Sequence, residues 1–75
     1  MKNTVVAITG DYIALGQLLK KVGLISFGGD AKTYLNQHDV FVNGEKELRR
    51  GKKLYPTDTI TINDQSFVIA VYAHQ

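Results

Sequence analysis

The chain has 75 residues, which is one domain with a thin core, since a chain of this size buries only roughly 60% of the surface its unfolded form exposes. Its 44% hydrophobic and 21% charged residues exclude a disordered segment, and the absence of cysteine excludes disulfides and thiolate metal sites. A small domain without disulfides points to a reducing compartment, so a cytoplasmic location is expected, and the net charge of +2 becomes informative only once it is located along the chain.

Met1-Lys2 precedes a short apolar run, Val5 to Ile8, too short for a signal-peptide core or a membrane span. Thr4 to Thr9 is β-branched and apolar, which predicts a strand, and Gly10-Asp11 ends it. Leu15, Leu18, Leu19, Val22 and Ile25 then fall at helical spacing with Gln17, Lys20 and Lys21 between them. The spacing predicts an amphipathic helix from near Ala14 to Val22, with Gly23 as its C-terminal stop. A second short helix is predicted from Gly28-Gly29 to near Gln37-His38. Its apolar face carries Ala31, Tyr34 and Leu35, and Asp30 stands in the first turn, where the helix dipole favours an acid.

Val40-Phe41-Val42 reads as a strand and Asn43-Gly44 as a tight turn, because both residues tolerate positive φ. A basic segment follows and leads through Lys53-Leu54-Tyr55 into the turn Pro56-Thr57-Asp58. Thr59 to Ile62 alternates as a half-buried strand does, Asn63-Asp64 turns, and Ser66 to Tyr72 forms the last strand. The expected fold is α+β: two short helices packed on a small antiparallel sheet, since the strand-to-strand links are too short for parallel crossovers.

The positive charge is concentrated. Lys46, Arg49, Arg50, Lys52 and Lys53 place five of the nine basic residues within eight positions. From Glu45 to Lys53, five cations oppose two acids, while the rest of the chain sets four cations against five acids. A concentrated basic patch on a small domain is the electrostatic footprint of a polyanion partner. Lysines and arginines there can neutralise phosphates, and an arginine adds a planar fork for bidentate contact. Gly28-Gly29 at a helix start would let a phosphate approach backbone amides closely, with Lys32 one turn on. Among the tyrosines, Tyr34 falls on the apolar face of its helix, whereas Tyr55, beside the basic segment, is the best candidate to stack on an unpaired base. His38 and His74 lack the spacing of a metal site, Ser26 and Ser66 lack an elbow motif, and the acids are scattered. The chain is therefore expected to be neither an enzyme nor a holder of metal or cofactor.

One arrangement of residues resembles a known family. Leu15, Gly23, Ala31-Lys32 and Val42-Asn43-Gly44 stand, without a gap, where the S-four RNA-binding domain, or alpha-L motif, carries Leu, Gly, Ala-Arg and Val-Asn-Gly. This domain is named after ribosomal small-subunit protein four. The likeness covers Ile13 to Asp58, 46 of the 75 residues. Leu15-Gly16-Gln17-Leu18-Leu19-Lys20, Gly28-Gly29-Asp30-Ala31-Lys32 and Arg49-Arg50-Gly51-Lys52-Lys53-Leu54 further resemble the small stand-alone YaaA-like subfamily. The resemblance implies an RNA-binding module of the kind found in ribosomal proteins, RNA-modifying enzymes and some aminoacyl-tRNA synthetases. There are departures. Ala14 and Phe27-Gly28 replace an Arg and a Ser-Arg pair carried by many members, so two arginines that habitually contact RNA are absent, as is a helix-capping Ser. Ser26 is left as the substitute helix cap for Phe27, and Thr57 replaces a common glycine.

Together these readings predict a single domain over residues 1–75 that binds structured RNA, ribosomal RNA or an assembling ribosome, through a basic face. The candidate RNA-binding residues are Lys20, Gly28, Gly29, Lys32, Lys46, Arg49, Arg50, Lys52 and Lys53. A monomer with no membrane and no small-molecule substrate is expected. The competing readings are a protein-interaction adaptor and DNA binding through the same face.

Overall fold

The computed structural model describes residues 2–72. The elements run β1 (Lys2–Ile8), β2 (Ile13–Ala14), α1 (Leu15–Lys21), a 3-10 turn (Gly28–Asp30), α2 (Ala31–Gln37), β3 (Val40–Val42), β4 (Glu45–Lys46), β5 (Lys53–Leu54), β6 (Thr59–Ile62) and β7 (Gln65–Val71). Five strands form one sheet in the order β1-β7-β6-β3-β4, and β2 pairs with β5 in a separate two-stranded ladder. The expected α+β architecture of two short helices on a sheet is therefore present.

The sheet departs from pure antiparallel pairing at one strand. β3/β4, β3/β6 and β6/β7 are antiparallel, but β1 runs parallel to β7, from Lys2 opposite Gln65 to Ile8 opposite Val71. The short-link argument governs strands that follow one another. β1 and β7 lie at opposite ends of the chain, and the whole intervening fold serves as their crossover.

Alternation along the strands decides which face is buried. Val6 and Ile8, Val40 and Val42, Ile60 and Ile62, and Phe67 and Ile69 all turn inward. They meet Leu15, Leu18, Leu19, Ala31 and Leu35 from the two helices and Leu54 from β5 in one buried cluster. Tyr34 packs against the edge of that cluster, as its position on the apolar face of α2 predicts. Its ring stacks on His38 at 4.1 Å between centroids, and burial raises its phenol pKa.

Two turns explain residue choices that the pattern alone left open. α1 ends in a Schellman arrangement: Gly23 N–H donates to Lys20 C=O at 3.1 Å and Leu24 N–H to Leu19 C=O at 2.9 Å. Gly23 takes φ +83°, so the predicted stop is a residue in the left-handed region, where a side chain would be strained. In the second turn, Asp58 N–H donates to Tyr55 C=O at 2.9 Å, with Pro56 second and Thr57 third at φ +81°. Positive φ at the third position favours glycine, and a β-branched residue there is strained. That accounts for the glycine common in the family.

Thr57→Gly should therefore stabilise the protein. Relief of left-handed strain is worth about 1–2 kcal/mol, offset by about 0.4–1 kcal/mol of added freedom in the unfolded chain. A net gain of about 0.5–1 kcal/mol is expected in urea unfolding. A lower midpoint for the variant would show that the threonine side chain holds this turn.

Candidate nucleic-acid interface

The basic segment is held in place by helix α1. The first N–H groups of a helix have no partner within it. Here Leu15 N–H donates to Lys52 C=O and Gly16 N–H to Arg50 C=O, both at 2.8 Å, while Ala14 N–H donates to Gln17 Oε1 at 3.2 Å. The backbone of the basic loop thus caps α1, continuing the β2/β5 ladder in which Ala14 pairs with Lys53. Gly16 makes the close approach possible. A Cβ built on it would lie 3.3 Å from Ala31 Cβ and 3.4 Å from Arg50 O. α1, α2 and the basic loop all meet at this residue.

Around Gly16 lies a shallow groove lined by Gln17, Lys20, Gly28, Arg50 and Gly51. No Asp or Glu is among the described residues that line it. The basic segment meets the start of the second helical region here, at Arg50 and Gly28. Gly28 and Gly29 are exposed, and nothing lies within 4 Å of where their side chains would be. Neither has positive φ, so the fold does not require glycine at these positions. The 3-10 turn opens at Phe27 with no side-chain cap, so Ser26 does not take over the capping task. Lys32 is exposed on α2 and does not line the groove.

The remaining basic residues are placed differently. Arg49, Lys52 and Lys53 line a second concave surface together with Glu45, Glu47 and Asp58. Arg49 forms a two-pronged pair with Glu47, Nε to Oε2 at 3.0 Å and Nη2 to Oε1 at 3.2 Å. Its fork is therefore already occupied. Lys46 Nζ meets Asp39 Oδ1 at 3.1 Å, on the edge strand β4. Charge runs along the sequence, but topology divides it into a cationic groove at α1 and a mixed-charge surface beyond it.

Glu47 is the latch of the loop. Its Oε2 also accepts from Leu48 N–H at 3.1 Å and Arg49 N–H at 3.0 Å. The side-chain hydrogen bond from Arg49, opposed by burial and helped by backbone donors and the guanidinium charge, lowers its pKa from 4.5 to about 2. A lowered folded value means that the carboxylate stabilises the loop fully above pH 4.5 and loses that effect as the pH falls through about 2. In an NMR titration the amide shifts of Leu48 and Arg49 should move with a midpoint near 2. A midpoint at the ordinary value of 4.5 would show the latch to be open in solution.

Asn43, at φ +52° in the predicted Asn43-Gly44 turn, has a structural task. Its Nδ2 donates to Asp58 Oδ1 at 3.0 Å and its Oδ1 accepts from Thr59 N–H at 2.9 Å. Asp58 Oδ2 in turn accepts from Tyr55 N–H at 2.8 Å. The Val-Asn-Gly signature thus ties the β3/β4 turn to the start of β6.

Nothing in the sequence pattern singles out Lys21 or Tyr12. Lys20 and Lys21 line a further cleft with Tyr12, and Lys53 Nζ lies 4.9 Å from the Tyr12 ring centroid. The signal for Tyr12 was weak, since only the short β2/β5 ladder brings residue 12 beside residues 53–55. His74 lies outside the described residues. Among the described residues no cluster of three or more His, Asp or Glu side chains could hold a metal, and no helix is long and apolar enough to cross a membrane.

Comparison with known proteins identifies the family. Residues 6–70 match the profile of the S4 domain. The chain belongs to the S4 domain family. It is also 46% identical, over 57 residues, to the probable ribosome maturation protein RlbA of Bacillus subtilis (strain 168), covering 76% of this chain and 80% of that one. The spacing of Leu15, Gly23, Ala31-Lys32 and Val42-Asn43-Gly44 was thus a true family signature.

Proposed function

We propose that this S4-domain protein is a non-catalytic RNA-binding module that grips structured RNA through the groove at the start of α1. The observation that carries this reading is the convergence of Arg50, Lys20 and Gly28 on one groove with no acid among the described residues lining it. Arg50 brings a planar fork, Lys20 a mobile point charge, and Gly28 an open backbone. Such a set suits phosphate contacts and shape recognition, not base readout. Lys32, Lys52 and Lys53 lie outside the groove and add only longer-range attraction, whereas Arg49 and Lys46 are held by acids and contribute less. The Bacillus subtilis relative is named as a probable ribosome maturation protein, which supports an assembling ribosome as the partner.

Ultraviolet crosslinking in cells, followed by sequencing of the bound nucleic acid, tests the proposal. Structured segments of ribosomal RNA should be enriched over an Arg50→Glu variant. Recovery of no RNA above background would remove the reading and favour a protein-interaction adaptor. In purified form, duplex DNA should compete poorly with an RNA hairpin. Equal competition would favour DNA binding through the same groove.

A further inference from the structure

Tyr12 lies between β1 and β2 and is 46% exposed. Lys53 Nζ is 4.9 Å from its ring centroid, and the Tyr55 ring lies 5.8 Å away, tilted by 51°. Tyr12 also lines an open cleft of about 560 Å³ with Thr9, Gly10, Gln17, Lys20 and Lys21. No acid is among the described residues lining that cleft, and Asp11, next to Tyr12 in the chain, is not one of them. Tyr55 is 47% exposed, so the two rings are covered by neither core nor helix. Lys20, Lys21 and Lys53 make no ion pair with an acid among the described residues.

Half-exposed aromatic rings beside several ammonium groups match a flat base with a phosphate attached. A cleft of this size accommodates a ligand as large as a nucleotide. Its position matters as much. The cleft shares Gln17 and Lys20 with the groove of Arg50 and Gly28. A backbone whose phosphates lie along Arg50 and Lys20 leads directly to the Tyr12 ring.

We propose that Tyr12, backed by Tyr55 and Lys53, is the stacking platform for one unpaired nucleotide of the bound RNA. The preferred RNA is then a stem interrupted by a bulge or loop, not a continuous duplex. Unpaired bases can leave the helix, whereas the deep, narrow major groove of an uninterrupted stem hides its base edges. This inference rests on the RNA-binding reading above and deepens it.

The test uses two end-labelled RNA hairpins of equal length, one fully paired and one with a single bulged 2-aminopurine in mid-stem. The full chain should bind the bulged hairpin about tenfold more tightly, within the range of one base stacked on an aromatic ring. Its 2-aminopurine fluorescence should be quenched on binding. Tyr12→Ala should reduce the preference to about twofold or less and abolish the quenching, with affinity for the paired hairpin unchanged. Tyr12→Phe should retain both effects, because the ring survives. The proposal is overturned if the wild type binds both hairpins equally, or if Tyr12→Ala weakens both alike. It is also overturned if Phe27→Ala, which removes an exposed ring elsewhere, abolishes the preference instead. In those cases salt-sensitive RNA binding still stands. Adenosine monophosphate displacing the bulged hairpin at equal concentration would make the cleft a free-nucleotide site and overturn the proposal. Binding to neither hairpin overturns the RNA-binding reading and this inference with it.

Discussion

Arg50→Glu is expected to weaken binding to structured RNA by more than tenfold, over about 1.4 kcal/mol, with the fold intact. The backbone at residue 50 is held by its carbonyl, which accepts from Gly16 N–H at 2.8 Å, and that bond does not depend on the side chain. The side chain is exposed and has no ion pair with an acid among the described residues. Reversing its charge therefore acts on a ligand more than on the protein. Arg49→Glu would be a poorer experiment, because it sets two carboxylates together at Glu47 and opens the loop. Lys46→Glu is the proper control. It makes the same change in charge at the far edge of the sheet, where Lys46 already faces Asp39. It should cost less than about threefold. Equal losses in the two variants would mean diffuse attraction and no defined groove.

Leu18→Ala should have the largest effect on stability. Leu18 has no exposed surface and sits in the cluster that joins α1 to the sheet. Truncating a buried leucine costs about 2–5 kcal/mol, the loss of transfer energy plus the cavity left behind. A chain of this size has roughly 4–11 kcal/mol in total, at 0.05–0.15 kcal/mol per residue. The melting temperature should fall by about 10 °C or more, since each kcal/mol shifts a small domain by about 4–8 °C. RNA affinity measured well below that melting point should change little, because Leu18 does not line the groove. Unchanged melting would show that the helix presents a different face to the sheet.

Most of the fold was legible because its elements are marked by local chemistry. Gly23 and Asn43-Gly44 need positive φ, and the leucine spacing of α1 together with the alternation of β6 and β7 leaves one buried face each. The parallel pairing of β1 was not legible, since register between the two ends of a chain leaves no local trace. The short β2/β5 ladder was missed for the same reason. That ladder decides how the basic segment is used, turning Arg50 towards α1 while leaving Arg49 with Glu47. Composition located the charge in sequence. It could not reveal that Glu47 and Asp39 already occupy two of the five cations. Gly16 carried a signal in the family pattern, but its reason, the crowding of Ala31 and Arg50 against it, exists only in three dimensions.

The salt dependence of affinity measures most directly whether the groove binds RNA through phosphate contacts. An RNA hairpin should be titrated with the protein at several monovalent salt concentrations, and the logarithm of the association constant plotted against that of salt. Each neutralised phosphate contributes about −0.7 to −0.9 to the slope. Four or five contacts, by Lys20 and Arg50 in the groove and by exposed lysines outside it, predict roughly −3 to −4, and Arg50→Glu should flatten the slope by about one. A slope near zero, or one that Arg50→Glu leaves unchanged, would contradict phosphate binding at this groove.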